Sequence, residues 1–123
     1  MNSANTNQLM KKYSQANLEN NSIDYQVIFE NLKVPILVTD EHTNIMVVNQ
    51  QFEKLMGYSR HELEGKNLFD TILFPDNKEM LIEYHRKRML DPESVPSQYE
   101  ILTVDKNGND LQLLLNVSLM PES

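Results

Sequence analysis

Cysteine and tryptophan are absent, and glycine occurs only three times in 123 residues. Without cysteine, disulfides, thiol nucleophiles and thiolate metal sites are excluded. No apolar run approaches the ~18 residues that suggest a membrane-spanning helix. No secretory signal opens the chain, so the sequence predicts a cytoplasmic domain. Positive charge is scarce: 11 Lys and Arg stand against 18 Asp and Glu, for a net charge of −7. Such a surface repels nucleic acid and anionic membrane, and no basic stripe offsets it. The basic run His85-Arg86-Lys87-Arg88 reads as a solvated helix face. Catalytic signatures are missing too. There is no H-E-x-x-H, no glycine-rich phosphate loop and no G-x-S-x-G. The three histidines fall on a turn, a short helix and a long helix, with no nucleophile spaced to meet them. The chain is therefore expected not to be an enzyme.

What is present is local helix punctuation. Asn49 can N-cap a helix whose inner face is Phe52, Leu55 and Met56, and Gly57 sits where a left-handed residue ends it. Ser59 and Glu62 are spaced as a capping box, and Gly65 is placed to stop that second helix. Asp76 and Glu79 repeat the spacing behind Pro75 and predict a long helix with Met80, Leu81, Tyr84 and Arg88 down one side. Asp91-Pro92 stops it. Leu68 to Phe74 reads as a packed irregular segment or a helical turn. Upstream, Asp24 can cap a helix with Tyr25, Ile28, Phe29 and Leu32 on one face, and Ile23 with Ile28 has the spacing of a hydrophobic staple.

Four strands are predicted: Ile36 to Thr39, Ile45 to Val48, Gln98 to Val104 and Leu111 to Met120. Asp40 can bond the amides of the first turn, where Asn44 is suited to a left-handed conformation. Asn107-Gly108 is a strong hairpin signal between the last two strands. In the final strand Leu113, Leu115, Val117 and Leu119 share a core face. Leu114 and Met120 make the other face more apolar than solvent requires. Residues 1–22 are rich in Asn, Gln and Ser, with Leu9 and Tyr13 at helical spacing. They read as a frayed extension or as a helix that pairs with its copy.

The order Asp40, Asn49, Phe52, Gly57-Tyr58-Ser59, Glu62, Gly65, Pro75-Asp76 and Lys106-Asn107-Gly108 resembles a PAS domain, the sensory box of bacterial and archaeal signalling proteins. The resemblance implies an α+β fold: an antiparallel sheet with short helices packed on one face, over residues 23–120. Residues 1–22 are then an N-terminal extension and 121–123 a tail. It also implies five strands, the fifth lying between the first and the fourth, and no fifth strand is evident here. Its slot would expose two rows of unpaired backbone groups.

Cofactor expectations follow from the same resemblance. Gly65-Lys66-Asn67 matches the flavin-binding LOV stretch, but Leu68 stands where its cysteine belongs. The axial histidine of haem relatives aligns near Met80, with His85 more than a turn away. The tryptophan usual in FAD-binding relatives is absent. Haem and flavin are thus not expected. His61-Glu62-Leu63 opens like a kinase phosphoacceptor box, but Glu64-Gly65-Lys66 replaces the Arg-Thr-Pro that should follow.

The remaining candidate is an apolar cavity between sheet and helices. Its expected walls are Phe52, Met56, Phe69, Leu73, Met80, Leu81 and Tyr84 from the helices, and Leu102, Leu115 and Val117 from the strands. Asn49 and Tyr84 would be its polar groups. A closed core would use the same lining. The expected function is a sensor and dimerisation module of a histidine kinase or diguanylate cyclase type protein, responding to a small ligand or relaying a conformational signal. The alternative is an interaction module with a closed core and no ligand. Expected partners are a second copy, through the N-terminal helix and the sheet face, and a C-terminal output domain.

Overall fold

The computed structural model describes residues 22–119, with side chains from Gln26 onward. The Leu9 and Tyr13 stripe, the Ile23 staple and the Met120 side chain lie outside the described residues. Helix α1 (Ser22–Asn31) already includes Ser22, so Asp24 falls inside it rather than at its cap. Ile28 and Leu32 are buried as expected. Glu30, on the same helix, meets the Arg60 guanidinium at 2.6 Å, and Arg60 also reaches Glu53 at 3.0 Å.

Strands β1 (Leu37–Thr39) and β2 (Ile45–Val48) pair antiparallel with a bulge between Val38 and Thr39. The Asp40 carboxylate organises their turn, accepting the His42 and Asn44 amides at 2.9 Å each. The left-handed residue is Thr43, at φ 64, and not Asn44. The Asp40 N–H bonds the Asn44 carbonyl at 2.9 Å, so Asn44 already belongs to the ladder and the reversal falls one residue earlier.

Three short helices follow: α2 (Gln50–Met56), α3 (Arg60–Leu63) and α4 (Leu68–Thr71). Asn49 caps α2, its Oδ1 accepting Phe52 N–H at 3.0 Å, and Gly57 ends it at φ 79. The Ser59–Glu62 box forms, with the Glu62 carboxylate accepting Ser59 N–H at 2.8 Å. These helices close over Ile45, Val48, Met56, Leu63 and Ile72, all at most 2% exposed.

Helix α5 (Lys78–Leu90) departs from expectation at its start. Asp76 is left-handed, at φ 67, and forms no cap. The Phe74 carbonyl takes both Asn77 and Lys78 N–H, and that turn leaves the left-handed place to Asp76. Asn77 occupies the cap position, but its Oδ1 accepts Leu102 N–H at 2.8 Å instead. Arg88 is buried, against the expectation of a solvated basic face. The turn Pro92–Ser94 folds the chain back so that the Arg88 guanidinium reaches the Pro96 carbonyl at 2.9 Å.

Strands β3 (Gln98–Val104) and β4 (Asp110–Asn116) pair in unbroken register from Gln98↔Asn116 to Val104↔Asp110. β4 stops short of the expected Met120, because beyond Ser97, whose carbonyl takes Val117 N–H, the chain turns away at Pro96. Leu113 and Leu115 are half-buried, not sealed in a core face.

The four strands make two separate pairs. The outer edge of β2 is covered: Ile45 exchanges hydrogen bonds with Lys66 and Gly65, both 2.8 Å. The outer edge of β3 meets Asn77 through Leu102. Because Leu102 N–H points outward, the antiparallel alternation turns its partner Gln112, and with it Leu114, outward on β4. Among the described residues no backbone group meets Gln112 and Leu114 on β4, or Leu37 and Thr39 on β1. These are the edges that bound the slot expected for a fifth strand. No helix among the described residues is long and apolar enough to cross a membrane.

Candidate functional site

A cleft of about 660 Å³ opens between the 40–44 turn, α4 and α5. Its position follows from three local devices. Asp40 shapes the turn. Asn67 caps α4, its Oδ1 accepting Phe69 N–H at 3.1 Å. The turn at Phe74 to Asn77 then launches α5 alongside them.

Phe69, Ile82, Met89 and Leu90 supply the apolar lining, and Phe69 packs against Phe74 with ring centroids 5.5 Å apart. Polar groups complete the lining: Glu41 and His42 on the turn, Asp70 on α4, and Lys78, His85 and Arg86 on α5. Arg86 is held by Glu83 at 2.5 Å, which raises its pKa and lowers that of Glu83. His85 Nε2 meets the Glu41 carbonyl at 2.6 Å. A carbonyl can only accept, so Nε2 carries the hydrogen. Asn67 is the hub between turn and helix, its Nδ2 reaching the His42 carbonyl at 2.9 Å, Thr43 Oγ1 at 3.1 Å and Asn44 Oδ1 at 3.2 Å. The amide of Asn44 holds the Asp40 carboxyl below its usual range, against the opposing effect of burial.

The residues named from sequence do not converge on this cleft. Phe69 alone among them lines it. Met56 is sealed in the closed core and Phe52 packs against that core. Asn49 is fully buried, and its side chain is used structurally. Its Oδ1 accepts Ile36 N–H at 2.9 Å as well as Phe52 N–H, and its Nδ2 donates to the Val34 carbonyl at 2.8 Å. Leu81 is buried, Met80 is half-buried, and Tyr84 stacks edge-on against Tyr99 at 5.1 Å. Leu73 is 66% exposed. Leu102 pairs with Gln112, so its side chain lies on the sheet face opposite Leu115, and the two cannot wall one cavity. Val117 lies beyond the end of β4.

The cleft uses a different stripe of α5 from the one named from the sequence. Lys78, Ile82, His85 and Met89 recur at four, three and four and line the cleft, whereas Leu81, Tyr84 and Arg88 point inward. The usable signal was a second apolar line, Ile82 and Met89, on a face otherwise read as solvated. Asn67 and Thr43 gave no such signal, because their roles depend on contacts across more than twenty residues.

The family model described as PAS fold matches residues 23–122. Phytochrome B of Sorghum bicolor is 34% identical over 107 residues, covering 77% of this chain but only 9% of that protein's length. The crystal structure of the PAS domain of a protein from Colwellia psychrerythraea superposes with a TM-score of 0.62 at 21% identity, covering 72% of this chain and 73% of that one. The PAS domain of an HTR-like protein from Haloarcula marismortui gives 0.53 at 21% identity, with coverages of 76% and 78%. At those identities the two structures speak to the fold.

Proposed function

The chain belongs to the PAS family, and on that premise we propose that it is a cytoplasmic sensor and dimerisation module whose receiving site is the cleft beside the 40–44 turn. The module is regulatory, and the reaction it controls is carried by an output domain of histidine kinase or diguanylate cyclase type. The observation that carries this reading is the cleft itself. Its volume of about 660 Å³ and its lining of apolar side chains with convergent polar groups suit a small organic molecule. A ligand there shifts a conformational equilibrium to the extent that it binds one state better.

The sealed core favours a second reading, a purely structural interaction module. Met56 and Leu63 are buried together in the core cluster, and both polar atoms of the Asn49 side chain are occupied. Native mass spectrometry of freshly purified protein separates the two. The sensor reading expects a stoichiometric small mass that is lost on denaturation and absent from Ile82→Glu, which puts a charge against the apolar lining. Bare protein throughout favours the structural module.

The dimer is proposed through α1 and the outer sheet face, where Leu114 is 58% exposed. Sedimentation across a concentration series is expected to show self-association that Leu114→Glu weakens. A strict monomer at high concentration removes this part of the proposal.

A further inference from the structure

Two turns of this chain share one design and differ in the residue that takes the left-handed place. Asp40 and Asp105 each accept, through Oδ1, the N–H groups two and four residues on, at 2.9 Å in all four cases. Each also accepts, through Oδ2, the side-chain amide of the asparagine four residues on, at 3.2 and 3.1 Å. In both, the residue three after the aspartate is left-handed: Thr43 at φ 64 and Gly108 at φ 86. Glycine takes that conformation freely, whereas a β-branched residue does so against its own Cβ. The strain therefore sits in one turn and not in its twin, and the strained turn is the one that lines the cleft.

Two helices hold Thr43 in place. From the α4 side come the three Asn67 Nδ2 contacts and Leu68 N–H, which donates to the Thr43 carbonyl at 2.9 Å. From α5 comes His85 Nε2–H on the Glu41 carbonyl. The α5 grip is a single bond, and it is made by a residue that also lines the cleft. We propose that the 40–44 turn is a loaded latch on the cleft. A molecule that enters and takes the His85 Nε2 hydrogen from the Glu41 carbonyl releases the turn toward an unstrained conformation. The release is carried into the bulged β1–β2 ladder, whose register shift lies immediately before the turn. The latch rests on the cleft being the receiving site, but its mechanics are present in the free protein.

Amide hydrogen exchange of the free protein, followed by NMR, tests the latch without a ligand. Relief of a left-handed β-branched residue is worth about 5–30-fold in an opening equilibrium. Thr43→Gly and Thr43→Asn, which both tolerate the conformation, should slow exchange at Asn44 and Leu68 by that order and leave Asn107 and Asn109 unchanged. His85→Ala should speed exchange at His42 and Asn44, roughly 2–10-fold, again without effect on the second turn. Gly108→Thr should transfer the strain, since no atom lies within 4 Å of an added Cβ, and accelerate Asn107 and Asn109 instead. Unchanged or faster exchange at Asn44 and Leu68 in both Thr43 variants overturns the latch, as does acceleration of both turns alike by His85→Ala. Neither result bears on whether native mass spectrometry finds a ligand.

Discussion

The two hairpins are held by different means. β3 and β4 share a seven-residue ladder in continuous register, and their turn closes through Asp105 and Gly108, with Lys106 tethering it to the Met56 carbonyl at 2.9 Å and to Glu62. β1 and β2 share a short, bulged ladder that could not stand alone. They are held from outside: Asn49 ties the entry of β1 to α2, Lys66 and Gly65 cover β2, and Asn67 and His85 clamp the turn. Burial varies by strand rather than by hairpin: Ile45 and Val48 on β2 and Ile101 and Thr103 on β3 are at most 4% exposed, while β1 and Leu111, Leu113 and Leu115 on β4 are only half-buried. Both hairpins leave one edge open, but a hairpin built chiefly on tertiary contacts is only as stable as the elements that grip it, which suits a segment placed beside the proposed ligand cleft.

Core truncation should expose this contrast most strongly. Ile45→Ala is expected to cost about 2–5 kcal/mol in urea unfolding, through lost burial and the cavity left behind. Leu113→Ala, in the half-buried row of β4, should cost clearly less. Equal losses would mean that the second hairpin is as firmly packed as the first.

The next effect in size concerns Asn49. Removing its side chain strands the Ile36 and Phe52 amides and the Val34 carbonyl in a buried place. Asn49→Ala should cost about 2–4 kcal/mol, since these are buried polar groups and a helix cap together. Asn107→Ala, in the exposed turn of the other hairpin, should stay within about 0.5 kcal/mol. A small loss at Asn49 would show that water replaces its bonds and that the first hairpin has a looser grip than its geometry suggests.

The same division explains what the sequence made legible. β3, the Asn107-Gly108 reversal, the Asn49 cap and the Ser59–Glu62 box are short-range signals, and each formed where the residues predicted it. Asp76 misled because a cap at one spacing was satisfiable by another turn, and Asn77 went to the β3 edge, 25 residues away. Arg88 misled for a related reason: its charge looked solvated until the return loop brought the Pro96 carbonyl to it. The cleft lies on a stripe of α5 that sequence alone does not single out, because helical periodicity gives the stripes and not which partner each one meets. Thr43 was invisible as a strained residue, since nothing local distinguishes it from a threonine in an ordinary turn.

Acid provides the finest discrimination. The Asn44 amide holds the Asp40 carboxyl below its ordinary 3.8, and the Asn109 amide does the same for Asp105. A carboxyl whose folded pKa is depressed contributes stability that is complete above its unfolded pKa. That contribution is lost as pH falls through the folded value. Stability should therefore decline below about pH 4 as both turns lose their acceptors. Exposed ion pairs such as Glu83–Arg86 add to the same acid limb, but salt screens them, whereas short hydrogen bonds to backbone amides persist. At high salt, Asp40→Asn and Asp105→Asn should each still make the limb shallower, because a neutral amide oxygen keeps the turn without titrating. If salt alone flattens the limb and neither substitution alters it further, the acid sensitivity belongs to the surface pairs and the two aspartate turns do not contribute to it.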